Sequence, residues 1–513
     1  MKKNTIILII LTIVSKLFGF VRELTLSYYY GASGISDAYL ISLTIPSVIF
    51  SFVGTGLYTG YIPMYNKIQI NNGKDEADQY TLNLINVLII FCTIITVLVL
   101  IFTEPIVKMF AIGFEGDTLA LAVRFSRISI FGIYFTALMY VFNGYLRLHG
   151  DYVSPGLTGF PLNIITILAI FLSAKFDLMV LAIGSLIAIS SQFIMLIPFS
   201  RKKGLRYRFL LDLNDQNIRE MIIIALPIII GASIDQVNNL IDKTMASSIA
   251  VGGVSALNYG SKLNGFIHGI FVSSISTVMY PAISKMAVEN NFKGMKATIK
   301  ESINMISLLV APAALGCMVL AEPIVEFLFA RGAFDIEAKI MTASVLFFYS
   351  VGSLGYGFRN ILSRAFYSMQ DTKTPMINGT IGVLINIILN FILSRFMGLG
   401  GLALASSISA IVTTILLGIN LRNRIGRLGI KDMAITLLKI LSASGIMGIT
   451  VKLLFEFFQV YWSFKFSLLA SIGAGIIVYG FVIYYMKIQE VYSLIQDIKN
   501  KIKELKTKKL SNF

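Results

Sequence analysis

Charge, histidine and cysteine are all scarce in this chain of 513 residues, and each scarcity excludes a class of protein. Charged residues make up 14% of the sequence and hydrophobic residues 56%, which excludes a water-soluble globular protein, because such a protein needs enough polar surface to face water. The two histidines, His149 and His268, stand far apart, and the sequence has no metal-spaced cysteines, Walker loop or His-Glu-x-x-His motif. These absences predict a polytopic membrane protein that is a transporter and not an enzyme.

Positive charge is in excess, with 43 lysines and arginines against 27 acidic residues. In a soluble chain, the formal charge of +16 would suggest a nucleic-acid partner. In a membrane protein the simpler account is the positive-inside rule, by which cytoplasmic loops are basic. We therefore expect membrane lipids, and no nucleic acid, among the partners.

Fourteen apolar segments, separated by clusters of aspartate, glycine and proline, follow one another along the chain. Each is long enough to cross a bilayer as a helix. The sequence therefore predicts an all-α integral membrane fold with fourteen transmembrane helices. The segments cover residues 5–30, 37–66, 80–103, 119–146, 154–173, 178–199, 219–247, 254–284, 298–320, 338–366, 375–396, 400–421, 432–457 and 462–487.

The loops between these segments predict the orientation of the chain. If Lys2 and Lys3 are cytoplasmic, every even-numbered loop should be basic, whereas the odd-numbered loops hold only scattered positive residues such as Lys108 and Arg331. The alternation predicts an even number of spans with both termini in the cytoplasm. The basic residues of the even-numbered loops are Lys67 and Lys74; Arg147; Arg201, Lys202, Lys203, Arg206 and Arg208; Lys285, Lys293 and Lys296; Arg364 and Lys373; and Arg422, Arg424, Arg427 and Lys431.

Three matched positions indicate an internal repeat. Glu104-Pro105 after span three returns as Glu322-Pro323 after span nine, and Pro63 matches Pro281 at the same offset, 322 − 104 = 281 − 63 = 218. Asp151 before span five matches Asp371 before span eleven, at an offset of 371 − 151 = 220. The repeat predicts two six-helix lobes related by a parallel pseudo-two-fold axis, plus two extra C-terminal helices.

The repeat and the charge pattern together divide the chain into five predicted parts. The last of them has apolar residues at helical spacing among lysines, which predicts a basic amphipathic helix on the inner leaflet, with a solvated tail as the alternative. The parts are an N-terminal lobe (1–200), a basic cytoplasmic linker (201–218), a C-terminal lobe (219–421), helices thirteen and fourteen (422–487) and a basic tail (488–513).

Charged residues interrupt the first two spans. Lys16 lies near the middle of span one, Arg22 and Glu23 follow about two turns later, and Asp37 begins span two. A charge at the centre of a bilayer costs at least about 2.5–3.5 kcal/mol, so such residues should face a wet cavity or a partner. Span seven is polar in the same way, and Lys262 follows in span eight. The polar residues of span seven are Asp235, Gln236, Asn238, Asn239, Asp242 and Lys243.

We expect Lys16, Arg22, Glu23, Asp37 and Lys262 to line one water-accessible cavity. Its three cations are natural counter-charges for an anion such as a phosphate or a diphosphate. Structural ion pairs that only hold helices together are the alternative for any one of these residues, for example Lys16 with Glu23.

A second polar group in spans eleven and twelve consists of Asn386, Asn390, Ser406 and Ser407. Asn386 and Asn390 lie one turn apart on one helical face. With Asp242 and a backbone carbonyl they could form an oxygen cage for a monovalent cation, while hydrogen bonding between helices is the alternative.

Eight stretches along the chain form recognisable motifs: Ser15-Lys16-Leu17-Phe18-Gly19-Phe20-Val21-Arg22-Glu23, Tyr30-Gly31-Ala32, Ser36-Asp37-Ala38-Tyr39, Ile45-Pro46, Asn258-Tyr259-Gly260-Ser261-Lys262-Leu263, Leu328-Phe329-Ala330-Arg331-Gly332-Ala333-Phe334, Ser363-Arg364-Ala365-Phe366-Tyr367 and Asp371-Thr372-Lys373-Thr374-Pro375. Together they resemble the bacterial MurJ (MviN) family of lipid II flippases, within a larger superfamily of drug and polysaccharide exporters. The resemblance covers essentially the whole chain.

The resemblance implies a flippase that moves lipid-linked peptidoglycan precursor from the inner to the outer leaflet of the bacterial cell membrane by alternating access, for cell-wall synthesis. It also implies that helices thirteen and fourteen hold the lipid tail. We expect a monomer with no cofactor. Because the sequence has no nucleotide-hydrolysis motif, the work must come from an ion gradient such as sodium, from the membrane potential or from the lipid gradient itself. Family positions for headgroup contact map to Lys16, Arg22, Glu23, Asp37 and Lys262. A family cation site maps to Asp242, Asn386, Asn390, the carbonyl of Leu402 and Ser406.

Four positions depart from the family pattern. Lysines stand at 16 and 262 where arginine is usual, which keeps the charge but loses the two-pronged grip on phosphate. Phe50 replaces a further arginine, and Asn390 stands where some members have an acidic ion ligand.

Three other functions compete with the flippase hypothesis. A flippase for another polyprenyl-diphosphate glycan differs from it only weakly in sequence. A cation-coupled drug exporter of the same superfamily would prefer an acidic or aromatic cavity, which the three cations argue against. A membrane glycosyltransferase or ligase would need a large outer loop with catalytic groups, and every predicted outer loop is short.

Overall fold

The computed structural model describes residues 2–488 and 490–491, and this part of the chain is built of α-helices with no β-strand. A π-helical turn, His268–Val272, lies between α11 and α12. The helices are α1 (Lys2–Tyr30), α2 (Gly34–Asn72), α3 (Lys74–Ile101), α4 (Thr103–Phe110), α5 (Gly116–Ser129), α6 (Gly132–Leu148), α7 (Val153–Leu157), α8 (Gly159–Ser173), α9 (Met179–Lys202), α10 (Gln216–Ile249), α11 (Gly253–Ile267), α12 (Ser273–Val288), α13 (Phe292–Val319), α14 (Ala321–Phe329), α15 (Ile336–Val351), α16 (Ser353–Ser368), α17 (Lys373–Ile425), α18 (Ile430–Tyr461) and α19 (Phe464–Tyr485).

Each of the fourteen predicted segments coincides with a helix, part of a helix, or a run of consecutive helices, so the all-α membrane fold is confirmed. Two segments are broken: α5 and α6 meet at 41°, and α15 and α16 meet at 46°. In the described part of the chain, nine helices are long and apolar enough to cross a membrane, or up to eleven if each bent pair is one span. The number fourteen itself stays a prediction.

The 53 residues of α17 contain two predicted spans that fold back on each other at Gly398, where φ is 54° and ψ is −132°. An unbroken helix of this length would be far longer than the roughly 30 Å of a bilayer core. Side-chain contacts between the arms run in antiparallel order, since Asn420 meets Asn378, Ser409 meets Gly382, and Ser406 meets Asn386. The glycine is needed because a residue with a side chain is strained at this φ.

The structure divides into two compact units, the first of which comprises residues 1–259 and 329–339. Within it α2 is central and packs on α10, α5 and α6. Its core holds aromatic side chains, among them Tyr61 stacked on Tyr80 at 6.1 Å between ring centroids. Phe50 is buried in the same core, and its ring packs against that of Tyr140.

The second unit comprises residues 260–328 and 340–513. Its core joins α12, α13, α16 and α17, and α18 and α19 pack against each other and beside α13. The predicted five-part division of the chain remains a prediction. The predicted tail, 488–513, lies outside the described residues apart from 488, 490 and 491.

The predicted repeat reappears in the order of local elements. Glu104 and Glu322 each lie in the first turn of a short helix, α4 and α14, that follows a long helix of 28 residues. A bent pair of helices then follows in both halves. Asp151 and Asp371 each accept hydrogen bonds at the start of the next helix, from the backbone N–H and hydroxyl of Ser154 and of Thr374 respectively. The carboxylate acts as an N-terminal cap in both cases.

Within the predicted basic linker, residues 203–215 lie between α9 and α10 without helix or strand and form a strap that two asparagines fasten to α3. Asn83 accepts from the backbone N–H of Asp212 at 2.8 Å and donates to its carbonyl at 2.9 Å. Asn86 donates to the carbonyl of Leu210 at 2.8 Å and accepts from the hydroxyl of Tyr207. Because α3 supplies these hydrogen bonds, the exposed basic residues of the strap are held in place without secondary structure of their own.

Candidate functional site

Asp37 lies at the start of α2 and caps the N-terminus of another helix, α11. Its side chain is 1% exposed and accepts three hydrogen bonds, from the backbone N–H groups of Gly252 (2.8 Å) and Ser255 (2.7 Å) and from the Ser255 hydroxyl (2.6 Å). The first backbone N–H groups of a helix have no partner inside the helix and carry partial positive charge. A buried carboxylate is therefore neutralised here by hydrogen bonds rather than by a cation.

Further contacts surround this cap and form what we call the α11 seam: Gly31, Ser36, Asp37, Gly252, Ser255, Tyr259 and Ala333. The Tyr259 hydroxyl donates to the carbonyl of Gly31 at 3.0 Å, and Ser36 Oγ lies 2.8 Å from Ser255 Oγ. The backbone N–H of Ala333 donates to the carbonyl of Tyr28 at 2.8 Å. All of these residues belong to the first unit.

Close backbone approach in the seam depends on glycine. Gly31 has a φ of +59°, and a Cβ built on it would collide with the carbonyl oxygen of Ala333. Gly252 has a φ of +80°, and its Cβ would collide with the carbonyl of Ala32. Both positions therefore require glycine for conformation and for space.

The charges of α1 form an ion pair that reaches the same helix α11. Arg22 Nη2 donates to Glu23 Oε1 at 2.8 Å, with side-chain exposures of 27% for the arginine and 6% for the glutamate. The second oxygen of Glu23 accepts from Asn258 Nδ2 at 3.0 Å. Glu23 is thus held from two sides, and it in turn fixes the direction of the Arg22 guanidinium.

The other predicted headgroup residues occupy different positions. Lys16 is exposed on α1, six residues before Arg22, which corresponds to about 9 Å along a helix. Lys262 is also exposed, and it belongs to the second unit. The described geometry therefore brings together Arg22 and Glu23 in one contact and Asp37 in the neighbouring seam.

The polar residues of predicted span seven lie on α10. Asp242 is 3% exposed, and Lys243 donates to the Thr44 hydroxyl of α2 at 2.8 Å. The side chain of Asp235 is outside the described part of the structure. Hydrogen bonding between α10 and α2 therefore accounts for Lys243.

Asn386, Asn390 and Ser406 form a chain of hydrogen bonds inside α17. Asn386 Nδ2 donates to Ser406 Oγ at 3.0 Å, and Asn390 Nδ2 donates to Asn386 Oδ1 at 3.0 Å. All three are buried, as is Leu402, and all four belong to the second unit. Asp242, the remaining residue of the predicted cation site, belongs to the first unit.

Sequence reasoning did not assign site roles to Ser36, Ser255, Asn258 or Tyr259. Their side chains are ordinary polar groups, and nothing in a single sequence says that they meet residues more than two hundred positions away. One signal was available, because Gly252-Gly253 before an apolar run is a helix start, and a helix start buried in a membrane needs an acceptor from elsewhere.

A wholly helical chain that crosses a membrane many times, with buried charges held by hydrogen bonds on its spans, has the architecture of a membrane transporter. The family model described as lipid II flippase MurJ matches residues 26–473. The chain therefore belongs to the MurJ family of lipid II flippases.

Relatives and solved structures agree with this assignment. A probable lipid II flippase MurJ of Vibrio cholerae is 29% identical over 81% of this chain and 82% of its own length. The corresponding protein of Haemophilus influenzae is 28% identical over 92% and 98%. A solved lipid II flippase MurJ in an inward closed conformation is 27% identical, covers 94% of this chain and 99% of its own, and has a TM-score of 0.82.

A multidrug resistance MATE family transporter of the MOP superfamily has the same fold, with a TM-score of 0.67 at 18% identity over 82% of this chain and 98% of its own. At that identity the likeness concerns the fold alone. The predicted family is confirmed.

Proposed function

We propose that this chain moves lipid II, an undecaprenyl-diphosphate-linked disaccharide-peptide, from the inner to the outer leaflet of a bacterial cell membrane by alternating access. The observation that carries the proposal is the Arg22–Glu23–Asn258 contact inside the first apolar helix of a chain that belongs to the MurJ family. A half-buried guanidinium on a membrane helix suits the diphosphate, which is the charged group of this lipid.

Arg22 is the proposed primary contact with the diphosphate. Only one Arg22–Glu23 hydrogen bond is present, at 2.8 Å, and a guanidinium carries five N–H donors in a planar fork. Glu23 therefore orients Arg22 while leaving donors for a phosphate oxygen. Lys16, exposed on the same helix, adds a second positive charge of the compact kind that suits a single phosphate oxygen.

Asp37 is proposed to act through the α11 seam. In the described conformation Asp37 accepts hydrogen bonds from Gly252 and Ser255, so transport that passes through an open seam must first break these three bonds. Water would then replace the N-terminus of α11 as the partner of the carboxylate. Lys262 remains a sequence-based prediction for headgroup binding.

Sodium coupling is proposed at the α17 amides. The side-chain oxygens of Asn386, Asn390 and Ser406 and the carbonyl of Leu402 are neutral oxygen ligands of the kind that monovalent cations take in transporters. Asn386 Oδ1 already accepts from Asn390, so a cation would have to replace that hydrogen bond. Sodium-dependent thermal stability of the purified protein, lost in Asn386→Leu, tests this, and the same stability in sodium and choline chloride would contradict it.

The main experiment measures lipid II translocation by the purified chain in proteoliposomes. Arg22→Gln should abolish exposure of the headgroup at the far leaflet, and Arg22→Lys should restore part of it. The matched control is Arg201→Gln, which removes one exposed charge from the linker. Translocation at the wild-type rate by Arg22→Gln would refute the proposed contact, and mass spectrometry of the co-purified lipid would separate lipid II from another polyprenyl-diphosphate glycan.

The proposed topology places both termini in the cytoplasm, and the proposed state is a monomer. Single cysteines introduced at residue 2 and in the 201–218 linker should react with a membrane-impermeant thiol reagent only when that reagent has access to the inner face of the membrane. Modification from outside would contradict this orientation.

A further inference from the structure

A cavity of about 450 Å³ in the second unit lies where α16 meets both arms of α17. Residues from the two arms of α17 and one residue of α16 line it, and none of them belongs to the residues discussed above for transport. The lining residues are Phe366, Thr374, Ile377, Asn378, Asn420, Asn423 and Arg424.

One buried donor of this cavity has no hydrogen-bond partner in the part of the chain that the structure describes. Asn378 is 3% exposed, and its Nδ2 is unpartnered although its Oδ1 accepts from Asn420 Nδ2 at 3.2 Å. A buried amide N–H is almost always paired with protein, water or a ligand. An unpartnered donor that lines a cavity therefore points to an acceptor that comes from outside the chain.

The other polar groups of the cavity also favour an anionic acceptor. Arg424 gives one hydrogen bond, from Nη1 to Asp371 Oδ2 at 2.8 Å, and its side chain is 51% exposed, which leaves guanidinium donors for a ligand. Asp371 is negatively charged, but its oxygens accept from Thr374 and from Arg424, so its charge is already paired. Asn420 and Asn423 add amides.

Apolar walls distinguish this cavity from a site for a free inorganic ion. Its lining includes the buried Phe366 and the exposed Ile377. A phosphate oxygen at Asn378 and Arg424 would leave space against these walls for a glycerol or acyl part. The position, at the end of a predicted membrane span, is also where phospholipid headgroups lie.

We propose that this cavity binds a phosphate group carried by an anionic phospholipid, with Asn378 Nδ2 and Arg424 as donors. Free phosphate has the same chemistry, and the experiment separates the two sources. The site is distinct from the headgroup contact proposed for Arg22, so either proposal can fail without the other.

The test uses the full-length chain in nanodiscs of phosphatidylcholine, with and without phosphatidylglycerol, and inorganic phosphate as a separate titrant. Lipid adducts are counted by native mass spectrometry, and thermal stability is followed in parallel. Wild type should retain phosphatidylglycerol and be stabilised by it. Asn378→Leu, which keeps the size of the side chain but removes the donor, should weaken retention at least about tenfold, since a hydrogen bond to a charged group is lost.

Two matched variants separate the site from general attraction to a basic surface. Arg424→Gln and Arg422→Gln remove the same charge two residues apart on one helix, but Arg422 does not line the cavity. The site predicts loss of lipid retention in Arg424→Gln and not in Arg422→Gln. Stabilisation by inorganic phosphate alone would overturn the lipid source, and equal retention by wild type and a folded Asn378→Leu variant would overturn the site.

Discussion

The α11 seam of the first unit and the amide chain of α17 in the second unit both bury polar groups inside an apolar protein, but they do so with different chemistry. The seam uses one carboxylate, Asp37, to satisfy the N-terminus of a helix distant in sequence. The amide chain uses neutral groups, Asn386, Asn390 and Ser406, to join the two arms of one helix. Loss of the donors costs more for a buried carboxylate than for a neutral amide, so the seam depends more strongly than the amide chain on its hydrogen bonds.

The largest effect is expected when the carboxylate of the α11 seam is replaced. Asp37→Asn removes the charge from three hydrogen bonds and presents an N–H to backbone donors. Hydrogen bonds to charged groups contribute about 1.5–3 kcal/mol each. We therefore expect the free energy needed to open the seam to fall by at least about 3 kcal/mol. Hydrogen exchange of the amides in residues 250–256 should then accelerate roughly a hundredfold.

Asp117→Asn is the control for this experiment, because Asp117 is an exposed acidic residue in the first turn of α5. It should leave exchange at 250–256 unchanged. Unchanged exchange in Asp37→Asn as well would show that the carboxylate does not hold the seam closed.

A second, smaller effect tests the close backbone approach in the seam. Gly31→Ala and Gly150→Ala both place a side chain at positive φ, which costs about 1–2 kcal/mol, but only the first also brings a Cβ against a carbonyl oxygen, that of Ala333. In thermal unfolding in detergent, Gly31→Ala should therefore lower the unfolding midpoint more than Gly150→Ala does. Equal losses for the two variants would mean that the seam accommodates a side chain at this position.

Asn386→Leu should lower the free energy of unfolding by about 1–3 kcal/mol, because it leaves the buried polar partners of Asn386 without their hydrogen bonds. Ser442→Ala on α18 is the control, since its hydroxyl is exposed and bonds only within its own helix. The loss in Asn386→Leu is measured as thermal stability, and choline chloride or a pH between 6 and 8 should not change it. Sodium chloride should make the loss larger, because only the wild type keeps the proposed cation site.

The smallest effect concerns a carboxylate of the second unit, Asp371, which caps a helix as Asp37 does but at a partly exposed end. Burial alone would raise the pKa of Asp371, yet hydrogen bonds from Thr374 and the positive charge of Arg424 outweigh it and lower the pKa below its ordinary value of 3.8. The contribution to stability is thus complete above that ordinary value and is lost as the pH falls through the lower pKa of the folded state. Because Arg424 is half exposed, we expect less than about 1 kcal/mol.

This pH dependence is measured as the change in unfolding midpoint of wild type and Asp371→Asn between pH 6 and pH 3. Asp371→Asn should lack the part of the acid-induced decrease in unfolding midpoint that comes from protonation of Asp371. An identical acid profile for both proteins would contradict the lowered pKa.

Much of the fold was predictable, because the length of an apolar run and the position of glycine and proline are local properties. The break of α17 at Gly398 fell between two predicted spans, and the repeat marked by Glu104 and Glu322 returned as two short helices, α4 and α14. The bends in α5–α6 and α15–α16 were not foreseen, since each sits inside one continuous apolar segment and hydropathy does not record direction.

The candidate site was predictable only in part. A charge inside an apolar helix is visible in sequence, so Arg22, Glu23 and Asp37 were identified. Their partners were not, because Ser255 and Asn258 carry no unusual chemistry and gain a role only from lying beside Asp37 and Glu23. For Lys243 the partner is Thr44, which again is an ordinary residue made specific by packing.

The sequence alone determined that this protein is helical, spans a membrane, repeats internally and carries charges where lipid would penalise them, because hydropathy and charge act residue by residue. Only the tertiary structure decided that Asp37 caps α11, that Glu23 orients Arg22, and that Asn378 is left with a donor facing a cavity. A hydrogen bond requires donor and acceptor atoms about 3 Å apart, and the sequence does not show which groups that are distant along the chain fold to within that distance.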